Sequence, residues 1–460
     1  MSTTTTSTTT MPTTTTSTAT TPTTTMPSTT MRSTNAPGPS HDDRAPLLSA
    51  WRTMHRADLE AHLAHFGPPP LPRAGERAWP ERFASLVEAS GLTGRGGAAF
   101  PSAVKLALLR SVGGATTLVV NAMESEPASM KDRVLLTCAP HLVLDGAQLT
   151  ASALGAARVV VCVAHERPDV ARAVSQAAAE RVGWPLSPVP VVVMQPPGRY
   201  VAGEESALAA WVDGRSGVPS FRPDKSIPLS IGHRPALVHN AETLAHVALI
   251  ARRGPEWFRS LGGPDAPGTS LVTVSGAVGR PGVYEVAMGT PLADIVASAG
   301  PEGEVTGVLV GGFGGAWVAP RDLGAPYTPE ALARIGTIVG PGILVVLTTA
   351  QCGVAETARI VDFMAGESAG QCGPCVFGLP AIAHDFALLA RGGAGADTRR
   401  ALEQRFGVVR GRGACRHPDG AIRMAASALS VFAADVAAHA AGRPCAPRDR
   451  PSVTTTRRMT

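Results

Sequence analysis

Two cysteines three residues apart, Cys372 and Cys375, enclose Gly373 and Pro374, and a third, Cys415, follows 40 residues after Cys375 in a second glycine-rich loop. Two thiols so spaced at a helix start can grip one metal centre, with the third sulfur arriving from the far end of a helical hairpin. The Gly-Pro pair favours the turn that directs both sulfurs inward. Three chemistries match this pattern: apolar thiols buried in a core, a zinc ion on Cys372, Cys375, Cys415 and His417, or an iron–sulfur centre. For either metal, segments 372–375 and 415 have to meet in space. Seven cysteines in 460 residues suit a reducing compartment with metal or redox chemistry rather than a disulfide scaffold.

A chain of this length exceeds what one hydrophobic core supports, so several domains are expected. Residues 1–45 are dominated by Thr and Ser with Pro, which bury too little apolar surface to offset ordering entropy, and are read as disordered. Met11, Met26 and Met31 leave room for a downstream start. Over 46–255, β-branched runs (Thr116 to Asn121, Arg158 to Ala164, Val189 to Gln195) alternate with helical spacing such as His141 to Gly155. That alternation predicts a doubly wound α/β sheet with a nucleotide at its carboxyl edge. Residues 268–350 carry short strands punctuated by Gly and Pro and predict a small β-rich domain. Residues 351–442 turn helical and predict a bundle of three or four helices, followed by a tail, 443–460.

The net charge of +5 is concentrated partly in the tail, at Arg448, Arg450, Arg457 and Arg458, so no nucleic-acid surface is expected. No stretch is long and apolar enough for a bilayer span, and the Ser/Thr-rich start lacks the layout of a secretory signal. A cytoplasmic protein is expected, with room for docking at the inner face of the cell membrane.

Four further segments carry pocket chemistry. The first, Gly91 to Lys105, is a glycine-rich turn running into a helix; missing Cβ atoms let backbone N–H groups close on a phosphate or a planar ring. The second, Asn121-Ala-Met-Glu124-Ser-Glu126-Pro, begins where the first strand ends and is followed by Lys131-Asp-Arg. The third is Gly198-Arg-Tyr200-Val-Ala-Gly203-Glu204-Glu205-Ser-Ala-Leu. The fourth is Val238-His-Asn240-Ala-Glu-Thr243-Leu. Taken singly, each also reads as an ordinary turn or a solvated acidic pair at a helix start.

Together with Glu367-Ser-Ala-Gly-Gln-Cys372-Gly-Pro-Cys375, these segments resemble the flavin- and NADH-binding subunit of respiratory complex I and the diaphorase subunits of NAD-linked hydrogenases and formate dehydrogenases. The resemblance implies a Rossmann-like FMN-binding domain, a small β-rich domain of the ubiquitin-like, soluble-ligand-binding type, and a C-terminal helical bundle with a 4Fe-4S cluster. It implies FMN contacts at Gly94, Arg95, Gly96, Gly97, Lys105, Asn121, Glu124, Glu126, Tyr200, Gly203, Glu204, Asn240 and Thr243. Phe100 would flank the nicotinamide nucleotide, and Glu205 would sit near the adenosine ribose, where a carboxylate repels a 2′-phosphate and favours NADH over NADPH.

The implied activity is hydride transfer from NADH to FMN, then one-electron transfer through the cluster to a partner: a thioredoxin-like 2Fe-2S subunit, a ferredoxin or a membrane reductase. Hydride transfer needs close stacking rather than an acid or base, so no catalytic triad is expected. The chain departs from the family pattern at several places. Ala99 replaces a Gly, Met123 an Asp and His239 an Asn, and Lys225 stands near where an adenine-stacking aromatic is usual. Ala369 replaces the first cluster cysteine, leaving Cys372, Cys375 and Cys415, with Cys352 as the candidate fourth ligand. Such drift keeps open a non-catalytic assembly or binding descendant, or a zinc-stabilised structural protein.

Overall fold

The computed structural model describes residues 45–445 apart from 74, 225, 394 and 396. The Ser/Thr-rich start up to residue 44, Lys225 and the tail from 446 lie outside the described residues.

The first layer forms where the β-branched runs are. Strands β1 (Thr116–Ala122), β2 (Ala156–Val163), β3 (Val191–Met194), β4 (Leu229–Ile231) and β5 (Arg234–Asn240) make one sheet in the order β3-β2-β1-β5-β4. All neighbours are parallel except the edge pair β4/β5. Side chains alternate across β1: Leu118 and Val120 face one core, Val119 the other.

The face behind Leu118 is covered by α1 (Trp79–Ser90), α2 (Ser102–Val112), α3 (Lys131–Cys138), α4 (Pro140–Ala153), α5 (Pro168–Glu180) and, beyond them in sequence, Ala241–Arg253. The opposite face is covered by α6 (Glu205–Val212). The helix Ala241–Arg253 is α7. It packs so closely on α4 that a Cβ on Gly146 would sit 1.8 Å from the Leu244 carbonyl oxygen, so that crossing requires glycine. Cys138 and Cys162 are buried core residues.

A second five-stranded sheet follows: β6 (Thr269–Gly276), β7 (Gly282–Ala287), β8 (Val305–Val310), β9 (Ala316–Val318) and β10 (Ile343–Thr348), with α8 (Leu292–Ala299) between β7 and β8. The order β9-β8-β10-β6-β7 places the last strand parallel to the first at the centre. This is a ubiquitin-like sheet. One of its faces packs on α8, through Val272, Val274, Val308 and Val346 with Ile295 and Val296. The other, through Leu309, Trp317, Val345 and Leu347, packs on the C-terminal helices. Both faces are therefore dry, which explains near-continuous apolar strands such as Ile343–Thr348.

The C-terminal region contains α9 (Gly353–Gly366), α10 (Leu379–Ala390), α11 (Thr398–Val409), α12 (His417–Val431) and α13 (Ala433–Ala440). The sequence predicts three or four helices and the structure has five, because the last apolar run bends by 85° between α12 and α13. Among the described residues no single helix is long and apolar enough to cross a membrane.

Candidate active site

The chain runs β1 to β3 toward one edge of the first sheet and returns to β5 on the other side of β1, so the strand order reverses between β1 and β5. A crevice opens at the carboxyl ends of two such strands. There stand Asn121, the penultimate residue of β1, and Asn240, the last of β5, partners in register. Asn240 caps α7 by accepting from Glu242 N–H at 3.0 Å, and its Nδ2 donates to Asp132 Oδ2 at 2.8 Å and to the Asn121 carbonyl at 3.3 Å. The start of α7 and its positive end therefore face the crevice.

From this crevice a cavity of about 1270 Å³ extends to the second sheet and the C-terminal helices. Single-ligand pockets usually span about 300–1,000 Å³, so this cavity is larger than one small ligand needs. Of the residues predicted from sequence, Gly96, Gly97, Asn121, Glu124, Glu126, Tyr200, Gly203, Glu204, Asn240 and Cys415 line it. At Gly97 φ is +124°, a conformation essentially closed to other residues, and the backbone there lies bare against the cavity. Ala99, in the next turn, holds a left-handed φ of 49°. The glycine common in the family at this position thus has a backbone reason, and alanine bears the strain.

Beneath the crevice lies a buried charge network. Lys131 donates to Asp132 Oδ1 at 2.7 Å and pairs with Glu242 Oε2 at 2.9 Å. Burial alone would lower the Lys131 ammonium, but the two carboxylates outweigh it and hold its pKa above the usual value. Burial would likewise raise Glu242, yet Lys131 and His246 bring it down to about 2. Lys131 and Asp132 also line the cavity. They stand in the Lys-Asp-Arg run that follows the second segment, and sequence alone does not single them out, because a charged triplet at a helix start more often faces solvent.

Three glutamates predicted to meet a ligand have other partners. Glu124, at φ 39°, accepts from Ser129 Oγ, Asp132 N–H and Arg133 N–H at 2.8–3.0 Å and so caps α3. Glu126 accepts from Phe313 N–H at 3.0 Å and from the Tyr200 hydroxyl at 2.8 Å. Burial pushes the Glu126 carboxyl up to about 7, against these hydrogen bonds. Glu204 caps α6 through Ser206 N–H and Ala207 N–H. These three carboxylates line the cavity, and their bonds hold its wall in shape.

Several predicted contacts are placed elsewhere. Arg95 turns away from the cavity: its guanidinium donates to the carbonyls of Thr269 and Pro267 at 3.1 and 3.0 Å, and its N–H donates to Thr243 Oγ1 at 2.9 Å. Arg95 thus ties the glycine loop to α7 through Thr243 and to the start of the second sheet through Thr269. Gly94 closes that loop by donating to the Phe100 carbonyl at 2.8 Å, and Phe100 is 45% exposed and outside the cavity wall. Lys105 and Glu205 form an ion pair with each other, and neither lines the cavity. The Glu205 carboxylate, expected to face a 2′-phosphate, is paired with Lys105 in this structure.

At the far side of the cavity the cluster thiols gather. Cys372 and Cys375 sit at the wide turn Pro374–Gly378 that opens α10, with Cys375 N–H on the Cys372 carbonyl at 3.0 Å. Burial, with the Cys372 and Cys415 sulfurs adding to it, pushes the Cys375 thiol up to about 12; Cys415 is raised by burial too. Cys375, with Cys372 and Cys415 close enough to act on it, belongs to a thiol donor set that suits a metal centre, whose charge displaces the protons. Cys372, Cys375, Cys415 and His417 do not converge on a point within reach of one ion, so the set fits a multi-iron cluster better than zinc. His417 is engaged through Nε2 by the Met364 carbonyl at 2.8 Å.

Cys352 is no part of this group. It precedes α9, and the fourteen residues of that helix separate it from Glu367 by about 21 Å at the standard rise. A ligand at the wrong end of a rigid helix cannot reach the cluster, and sequence distance alone does not show that the intervening residues are helical throughout.

Comparison with known proteins matches this architecture. Residues 87–249 match the Nuo51 FMN-binding domain, 271–300 the SLBB domain, and 355–439 the NADH-ubiquinone oxidoreductase-F iron-sulfur binding region. The chain is 30% identical to the F 2 subunit of NADH-quinone oxidoreductase from Rhizobium meliloti (strain 1021), over 80% of this chain and 90% of the relative. It is 32% identical to the F subunit of the same enzyme from Mycobacterium bovis (strain ATCC BAA-935 / AF2122/97), over 80% and 87%. It is 28% identical to the HndC subunit of the NADP-reducing hydrogenase of Solidesulfovibrio fructosivorans, over 80% and 77%. Among solved structures, a chain of an NAD+-reducing [NiFe]-hydrogenase in the H2-reduced state superposes with a TM-score of 0.74 at 32% identity, covering 86% of this chain and 67% of that one. The chain therefore belongs to the family of NADH-quinone oxidoreductase F subunits, oxidoreductases of NADH that use FMN and a 4Fe-4S cluster.

Proposed function

We propose that FMN lies in the crevice at the ends of β1 and β5, against the backbone of Gly96 and Gly97 and the side chains of Asn121 and Asn240, and that Cys372, Cys375 and Cys415 hold the cluster. One observation carries this reading: a single cavity is lined both by the paired asparagines of the strand-order reversal and by Cys415. When bound, the flavin converts a two-electron donor to one-electron steps and the cluster conducts single electrons.

The chain's own residues perform the rest. The start of α7 presents positive potential to an anionic group, and Asn240, its amide held by Asp132 and the Asn121 carbonyl, fixes the crevice at that end. Gly97, at a φ that other residues rarely adopt, keeps its backbone at the cavity wall, and Glu126 with Tyr200 fixes the wall between nucleotide and cluster. The relatives are named as subunits, and by that analogy the electrons pass to a partner protein, whether a thioredoxin-like 2Fe-2S subunit, a ferredoxin or a membrane reductase. Val376 and Phe377, next to Cys375, are 44% and 74% exposed, an apolar edge at the place such a partner would approach. Attachment at the inner face of the cell membrane would then come through that partner. The corresponding division of the chain is 46–255 for FMN and NADH, 268–350 for the ubiquitin-like unit and 351–442 for the cluster.

The test is anaerobic purification of the full chain, with released flavin identified by chromatography, iron measured, and NADH-dependent ferricyanide reduction assayed. FMN, iron and activity together are expected. Asn240→Ala should weaken FMN binding about tenfold or more, the worth of one to two lost hydrogen bonds. Protein that stays colourless and iron-free after reconstitution with FMN, iron and sulfide would overturn the assignment in favour of a non-catalytic descendant.

A further inference from the structure

Cys352, excluded from the cluster, has company of its own. Its Sγ lies 3.4 Å from His439 Nε2. With Cys445 the three ligand atoms fall within 4.8 Å of one another, the one such group of His, Cys, Asp or Glu found among the described residues. Cys352 and His439 are buried and Cys445 is half-buried. The imidazole is oriented from behind: Nδ1 faces the carbonyls of Leu389 and Ala390, each at 3.1 Å. Carbonyls only accept, so the proton sits on Nδ1 and the Nε2 lone pair points at the two sulfurs. The Cys445 N–H now approaches that lone pair at 3.1 Å.

We propose that Cys352, His439 and Cys445 form a mononuclear zinc site, separate from the cysteines Cys372, Cys375 and Cys415. Two thiols and an imidazole are the donor types a borderline-soft divalent ion prefers. In a tetrahedral zinc complex, bonds of about 2.3 Å to sulfur and about 2.0 Å to nitrogen put those two atoms about 3.5 Å apart, close to the separation found here. Binding releases one proton from each thiol to solvent, so two thiolates, a neutral imidazole and the dication sum to zero charge, which a buried site tolerates. Cys352 also caps α9, accepting from Ala355 N–H at 3.5 Å, where the helix end favours a thiolate. The fourth position is left to water. Such an ion fastens the start of α9, the end of α10 (through Leu389 and Ala390) and the chain after α13 at the end of the helical region remote from the cluster. A disulfide between the two cysteines is the competing chemistry, but it gives the presented lone pair of His439 no role.

The experiment is element analysis of the full chain, purified with reductant from zinc-supplemented medium, beside Cys445→Ser, Cys352→Ser and His439→Asn. About one zinc per chain is expected in the parent, falling at least fivefold in Cys445→Ser while iron and flavin stay at the parent level. Cobalt substituted into the parent should show sulfur-to-metal charge-transfer absorption that Cys445→Ser abolishes. Cys445 follows the last helix, so that variant remains informative if Cys352→Ser fails to fold. Zinc retained at the parent level in Cys445→Ser, no zinc in the parent after reconstitution, or a Cys352–Cys445 disulfide found by mass spectrometry in the reduced preparation would each overturn the site.

Discussion

The backbone N–H of Tyr200 donates to the Glu367 carboxylate at 2.9 Å, joining the wall of the nucleotide cavity to the first residue of the segment that carries Cys372 and Cys375. From the same tyrosine, the hydroxyl donates to Glu126, the carbonyl accepts from Ser125 Oγ, and the ring lies edge-on to His417 at 5.4 Å. Glu126 in turn holds Phe313, in the turn between β8 and β9. Contacts from all three regions thus meet around one tyrosine.

This arrangement makes stability depend on pH through Glu126. Its carboxyl is raised from about 4.5 in the unfolded chain to about 7 in the folded one, so the folded state holds the proton more tightly. The stabilisation is full below the unfolded value and is lost as pH rises through the folded one. A shift of that size is worth on the order of 3 kcal/mol. Glu126→Gln cannot ionise, so its stability relative to the parent should rise between pH 5 and pH 8. Urea unfolding at intervals of one pH unit measures it, and parallel profiles for the two proteins would refute the account.

Lys131→Met should be among the most damaging single changes. It strips the cation from Asp132 and Glu242, both buried, and removing one partner of a buried pair costs about 3–5 kcal/mol. Lys131→Met with Glu242→Gln should recover part of that loss, because one stranded charge is gone. A single-variant cost below about 1 kcal/mol in equilibrium unfolding would show that water reaches the network.

Ala99 offers the opposite sign. A left-handed alanine carries about 1–2 kcal/mol of strain that glycine lacks, offset in part by glycine's extra unfolded-state entropy. Ala99→Gly should therefore gain about 0.5–1 kcal/mol, seen as a higher unfolding midpoint. A lower midpoint would mean that the loop keeps its shape for another reason.

Much of this is legible in the sequence. Apolar runs such as Thr116–Ala122 declare their strands, and the Asn residues at the carboxyl ends of β1 and β5 stand where a doubly wound sheet exposes its crevice. What escapes are side chains whose direction depends on tertiary neighbours. Arg95 and Lys105 look like phosphate ligands in a glycine-rich segment, but Arg95 finds the carbonyls of Pro267 and Thr269, about 170 residues away, and Lys105 finds Glu205. Lys131 is hidden for the converse reason: its two countercharges, one of them 111 residues on, make burial of the ammonium possible.

The vacancy at Ala369 leads to the last expectation. Three thiolates leave one iron of a four-iron cluster without a protein sulfur, and the candidate replacement, Cys352, stands at the remote end of α9. Cys352→Ala should leave iron content and the visible and paramagnetic spectra of the cluster unchanged, whatever it does to zinc. Ala369→Cys should supply the missing sulfur, raising iron by up to about one atom per chain and slowing bleaching in air. Iron analysis and the rate of absorbance loss on air exposure measure both. A Cys352→Ala protein that loses cluster iron while Ala369→Cys gains none would mean that the helix between them does not hold the two ends apart.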